Sequence, residues 1–196
     1  MTFPVSLPST AFARLTLKAA NFAAIASSQF TAQQQVFEHA GELWAAEITL
    51  PPMDRATAAP WFAILAALRG QSGTFFLGDP KAATPRGTVS GSLQVNGAHA
   101  AGSKTLALKT ATGTLKAGDY LQIGSGASQR LYMVLADLTL AATAEIFPRL
   151  REAAAGDAAV TYTNCKGVFR LAGNERGWDV SPAGIYSLGF SAVEAI

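Results

Sequence analysis

Between residues 83 and 164, six short strand-like pieces follow one another with no helical period, separated by Gly, Ser and Asn. They are Leu93-Gln94-Val95 and the stretches 105–109, 120–123, 131–136, 144–147 and 160–163. Short strands at this spacing, joined by turn residues, predict a small β-barrel or sandwich. In Leu131-Tyr132-Met133-Val134-Leu135 both faces are apolar, which marks a central strand. Within Leu115-Lys116-Ala117-Gly118-Asp119, Gly118 is free to take the positive φ of a tight turn.

The flanking stretches read differently. Leu15 and Leu17 alternate with Arg14, Thr16 and Lys18, a period of two. Residues 34–39 form a weaker, polar strand candidate. Trp44, Ala46, Ile48 and Leu50 share one strand face, with Glu47 and Thr49 on the other. Pro51-Pro52 stops that strand, since neither residue donates to a ladder. One helix is predicted over 54–69. Asp54 or Thr57 caps it, Pro60 belongs near its first turn, and Trp61, Ile64, Leu65 and Leu68, widened by Phe62, form its apolar stripe. Gly70 sits where a left-handed C-terminal cap belongs. Gly73-Thr74-Phe75-Phe76-Leu77-Gly78-Asp79-Pro80 then reads as a short strand closed by a turn. After residue 165, Val168-Phe169-Arg170-Leu171 and residues 185–193 are strands, with Trp178 between them. The helix-bearing part lacks enough strands alone, and these complete its sheet. The expected fold is mainly β. Residues 1–82 plus 166–196 are expected to form one core domain with one α-helix, over about 54–69. Residues 83–165 form an inserted small β-barrel or sandwich. No internal repeat at a fixed period is present.

A length of 196 residues corresponds to one or two domains at ~150 residues each. Hydrophobic residues make up 49% and charged residues 14%, about half the usual charged share. That composition argues against disorder and suggests that much of the surface is covered by something other than water. The net charge is +2, with 7 basic and 5 acidic residues in 83–165 and 8 of each elsewhere. No run of Lys or Arg makes a footprint for nucleic acid or an anionic membrane. The single cysteine, Cys165, excludes an intrachain disulfide and a multi-cysteine zinc site, so folding in a reducing cytoplasm is expected. The longest nearly unbroken apolar run, residues 58–68, is well short of the ~20 that span a bilayer, so no membrane insertion is expected. Residues 19–26 are Ala-rich and follow Arg14 and Lys18, loosely imitating a signal peptide. Asn21 interrupts them, and Leu15 and Leu17 read better as strand.

Chemistry-bearing residues are sparse. His39 follows Glu38 and His99 lies in a Gly-rich turn; both read as solvated surface histidines. Cys165 lacks an evident base and reads as small buried filler. Glu42, Glu47 and Asp54 resemble a glycosidase carboxylate set only superficially. The glycines at 87–91 and Gly124-Ser125-Gly126 open no helix and read as hairpin turns rather than phosphate cradles. Trp44, Trp61, Phe75 and Phe76 sit at core spacing rather than forming a sugar platform. Arg149-Leu150-Arg151 reads as rim charge or an interface contact. No catalytic, cofactor-binding or metal-ligating residue is expected. A weakly charged, β-rich surface of this kind suits assembly into a larger complex.

Certain stretches carry a resemblance. Phe30-Thr31-Ala32-Gln33-Gln34-Gln35-Val36-Phe37-Glu38-His39 leads into Trp44-x-x-Glu47 and Leu50-Pro51-Pro52-Met53. After the helix come Leu68-Arg69-Gly70 and the Gly73 to Pro80 stretch with Phe75, Phe76, Gly78 and Asp79. Ala117-Gly118-Asp119-Tyr120, Pro148-Arg149-Leu150-Arg151 and Gly167-Val168-Phe169-Arg170-Leu171 follow. In this order the chain resembles the tail-tip proteins of long, non-contractile-tailed bacteriophages and prophages, and most of all the distal tail protein type. The resemblance implies a virion protein of the tail tip, assembled in the host cytoplasm, with a β-sandwich-like core of the tail-tube type carrying one α-helix and an added small β domain. It implies a ring of six copies that joins the tail tube to the tip hub and receptor-binding apparatus. Double-stranded DNA would pass through its lumen, and the core's lack of net charge suits passage without grip. The family has no catalytic residues to carry over and no cofactor. Thr74 to Leu77 is expected to be an apolar ring edge, with heterologous contacts that close on themselves. A tail-tube or tail-terminator ring is one alternative. Another is a carbohydrate-binding module using Tyr120, Tyr132 and Phe147, and a third is an enzyme using Cys165.

Overall fold

Trp44, Ala46, Ile48 and Leu50 alternate onto one strand face, and all four are buried. They anchor the larger of two bodies in the computed structural model, which describes residues 2–9 and 11–196. The first body begins with β1 (Val5–Ser6), β2 (Arg14–Ser27), β3 (Gln34–Thr49), α1 (Arg55–Ala67) and β4 (Thr74–Leu77). Next come β5 (Leu93–Val95), β6 (Thr105–Lys109), β7 (Thr114–Leu115), β8 (Tyr120–Ile123) and β9 (Arg130–Val134). They are followed by β10 (Leu138–Thr139), β11 (Thr143–Phe147) and β12 (Ala159–Thr161). The chain then returns with β13 (Gly167–Leu171), β14 (Asp179–Val180), β15 (Tyr186–Ser187) and β16 (Gly189–Glu194).

Among the described residues the protein is mainly β, with one α-helix and a single 3-10 turn at Gly126–Ser128. A six-stranded sheet runs in the order β1-β4-β13-β16-β3-β2, parallel only at the β1–β4 pair. The closed barrel is ordered β11-β6-β5-β12-β8-β9, and its six strands match the six pieces expected from the sequence. Chain entry and exit to the barrel are adjacent, with the Asn164 amide donating to the Ala83 carbonyl at 2.7 Å.

One face of the sheet is covered by two neighbours. At one end α1 packs Trp61 against Phe12 and Phe190, with ring centroids 6.3 and 6.2 Å apart. At the other end the barrel packs Phe147 edge-on to Trp44 at 5.0 Å, while the Trp44 indole donates to the Leu131 carbonyl at 3.0 Å. The second layer facing the sheet is thus the helix and the barrel. The two-sided apolarity of residues 131–135 follows from this position. Leu131 joins the core shared with the sheet, while Tyr132 and Val134 fill the barrel interior.

Helix α1 shows three departures from expectation. Its N-cap is Asp54, whose carboxylate accepts from the Thr57 amide at 2.9 Å. That start puts Pro60 inside the helix as its sixth residue, past the first turn, on an exposed side. At the C-terminus positive φ begins one residue early, at Arg69 (φ 49°) and then Gly70 (φ 67°). Gly70 has a second reason to lack a side chain, because a Cβ there would lie 2.6 Å from Asn174 Oδ1. Ile64 is only half-buried, so the buried stripe is Ala58, Trp61, Leu65 and Leu68.

Candidate functional site

The largest departure from the sequence reading is at residues 19–42. The Ala-rich stretch and the weak polar strand are one continuous hairpin, paired from Arg14↔Thr49 to Ser27↔Gln34. A bulge between Asn21 and Ala23 shifts the register, bending the ribbon where it leaves the sheet. Gly41 lies under the Phe22 ring, 3.0 Å from where its Cβ would stand. At the tip, Ser28 Oγ accepts from the amides of Phe30 and Thr31, both at 3.3 Å. Every residue from 21 to 41 is exposed. Among them are Phe22, Ile25, Val36, Phe37 and Phe30, the last 98% exposed at the tip. Residues 19–37 include no charged side chain. A projecting, uncharged ribbon with an open β2 edge is a template for association.

The base of this arm is fixed by the barrel. Arg149 donates through its amide to Glu42 at 2.7 Å, through Nε to Glu42 at 3.1 Å and through Nη2 to Glu38 at 2.6 Å. Lys104 reaches the same Glu38 carboxylate at 2.6 Å. Hydrogen bonds from Lys104 and then Arg149 hold the Glu38 carboxyl below its ordinary range. Arg151 pairs with Glu194 at 3.0 and 2.6 Å and also donates to the Glu42 carbonyl. Its partner Glu194 additionally accepts from the Trp44 amide at 3.1 Å. Arg149-Leu150-Arg151 is therefore a strap from the barrel onto β3 and β16, with the Arg151–Glu194 pair buried rather than on a rim.

The other residues singled out from the sequence are scattered. Trp44, Trp61 and Phe75 are core, so they present no platform. Pro51 is half-buried, and Pro52 and Arg69 are exposed. Thr74 to Leu77 is not a free edge: β4 lies between β1 and β13, and the long open edge is β2. Sequence alternation could not reveal this, because the two residues of β1 that cover β4 carry no strand signature. Gly78 lets the chain pass the Cys165 carbonyl, which a Cβ would approach to 2.1 Å. The Asp79 carboxylate closes its turn by accepting from the Lys81 amide at 2.8 Å. Tyr132 and Phe147, two of the three residues of the alternative sugar site, are buried, and Tyr120 is half-buried. Tyr120 and Phe147 pack on Trp44, and the Tyr132 hydroxyl accepts from the Arg151 amide at 3.2 Å.

The carboxylates Glu42, Glu47 and Asp54 are used separately, on Arg149, Lys18 and the helix cap. His39 is exposed. His99 is half-buried, and its Nε2 accepts from the Ala107 amide at 3.1 Å. Burial pushes the Cys165 thiol up to about 12, and its single S–H has two carbonyl acceptors within reach, those of Tyr120 and Thr161, each at 3.3 Å. Among the described residues, no group of three or more His, Cys, Asp or Glu is placed to hold a metal ion, and no helix is long and apolar enough to cross a membrane.

The described residues also form open clefts, among them a shallow one of about 340 Å³ beside Arg69, Asn174 and Trp178, and two larger ones. One, of about 480 Å³, lies on the barrel beside Arg130 and Glu152, which already pair at 3.1 Å. The other, about 560 Å³, lies at the β1 side of the sheet, between the N-terminal segment and the Phe76–Lys81 turn. No protein-family model and no curated protein matches the chain.

Proposed function

We propose that this chain is a structural subunit of a phage tail tip, of the distal tail protein type. Copies associate head to tail into a closed ring, most simply a hexamer, between the tail tube and the tip hub. The arm carries this proposal. An uncharged ribbon bearing five exposed large apolar side chains is costly to leave in water, and repeated inter-subunit contacts relieve that cost. The sparse charge of residues 19–37 also suits a ring that surrounds DNA without holding its phosphates. Residues His39, His99 and Cys165 then have only local structural roles.

Native mass spectrometry of the purified chain, alone and with a tail-tube or hub protein from the same particle, tests the proposal. The expected species is a closed ring at six times the 20.3 kDa chain mass. A chain that stays monomeric in both samples refutes it. Stacking of the chain alone into open-ended tubes would instead identify a tail-tube subunit.

A further inference from the structure

We infer that the tip of the arm, led by Phe30, seats in the groove beside β1 and β4 of the neighbouring copy. This inference rests on the ring proposed above and names the contact that would close it. The two surfaces belong to opposite borders of one sheet, since β2 ends the strand order on one side and β1 on the other. They also face the same end of it. Gly167 pairs with Leu77 and Phe169 with Glu194, so the β4 end that opens into the groove lies level with Glu194 and the base of the arm. An element on one border and a receptor on the other is what a heterologous, head-to-tail contact requires.

The chemistries agree. The groove's apolar lining includes Leu7, Pro8, Phe76 and Pro80, and Asp79 and Lys81 are among its polar members. At about 560 Å³ it falls within the ~300–1,000 Å³ of sites that take a compact apolar group. Phe30 is 98% exposed on a tip without charges. Beyond the bulge the arm extends roughly 25 Å at ~3.3 Å per residue, and two strands are roughly 10 Å wide. Its two faces thus offer roughly 500 Å², most of the ~800 Å² per partner in a standard interface.

The test uses two full-length chains, each carrying Cys165→Ser. One also carries Phe30→Cys and the other Pro80→Cys. Both substituted positions are exposed. Mixed under mild oxidation, the pair is expected to give the mixed disulfide in about tenfold excess over either self-adduct. A random mixture of the three adducts, or a dominant Phe30→Cys self-adduct from tip-to-tip contact, overturns the inference. A second variant, Phe30→Asp, is expected to melt like the parent chain and to lose the ring. If Phe30→Asp rings form normally, the groove is wrong while the ring stands. If the parent chain forms no ring with or without its tail partners, the ring fails and the docking falls with it.

Discussion

Replacing Arg151 by Met tests how the two bodies are joined. Arg151 contributes Nε and Nη2 to Glu194 at 3.0 and 2.6 Å, and the two side chains are only 8% and 2% exposed. Without the guanidinium, the Glu194 carboxylate keeps the Trp44 amide at 3.1 Å and little else to offset its lost hydration. Removing one partner of such a pair costs ~3–5 kcal/mol, out of a total stability of ~5–15 kcal/mol. For a chain of this length each kcal/mol lowers Tm by ~2–4 °C, so the melt should fall by about 6–20 °C. The double change Arg151→Met with Glu194→Leu removes the stranded charge as well. The Glu42 carbonyl loses its Arg151 donor in both variants, and the double change additionally leaves the Trp44 amide without its partner, a loss of ~1–3 kcal/mol. The double variant should therefore be more stable than the single one. Because the pair lies at the joint, calorimetry of the single variant should also show barrel and sheet melting separately, with the calorimetric enthalpy exceeding the van't Hoff value. A cost below ~1 kcal/mol for Arg151→Met, or a double variant no better than the single, would refute a desolvated joint.

Trp61→Ala should cost ~3–5 kcal/mol by urea unfolding, as Trp61 is fully buried under Phe12 and Phe190. Trp61→Phe should cost much less, because the buried indole Nε1 has no hydrogen-bond partner to lose. Residues 83–165 expressed alone should give their own cooperative melt, since Leu93, Val95, Leu106, Leu121 and Val160 enclose a core within the barrel; a chain that stays unfolded refutes this. Cys165 should resist thiol reagents at pH 8 until the chain unfolds. Its thiol is raised from an ordinary 9.0 to about 12, so the folded state holds its proton more tightly than the unfolded state. The stability linked to it is fully present below pH 9 and is lost as the pH climbs toward 12, which urea midpoints across that window will show.

The barrel is legible in the sequence because most of its strands are short apolar runs bounded by turn residues, such as Asn96-Gly97 after β5 and Gly124 after β8. The core half of β3 is legible for the same reason, through Trp44, Ala46, Ile48 and Leu50. The arm is not. Residues 19–27 and 34–37 are mostly Ala, Ser and Gln, poor strand formers with no face to bury within the chain. Their pairing depends on the ladder started further down at Leu15 and Ile48. Arg149 and Arg151 were visible as charges, but their partners lie far away in sequence, at Glu42 and Glu194. No local pattern shows that Glu194 is buried. The single available hint was Glu42 and Glu38 spaced to share the face that Trp44 turns to the barrel. His99 misleads for a related reason, since its acceptor role depends on the amide of Ala107 across a barrel turn.

The barrel's adjoining ends have a consequence for how such a chain can change. Ala83 and Asn164 are hydrogen-bonded neighbours, so connectivity would admit almost any domain whose termini meet. The landing site is more selective. Trp44 needs a carbonyl where Leu131 supplies one, and Glu194 needs a cation where Arg151 supplies one. A recombination that traded only residues 84–164 would set a foreign barrel on a tryptophan and a carboxylate shaped for another. The unit of successful exchange is therefore discontinuous in the gene though contiguous in space, with positions 44 and 194 travelling alongside the insert.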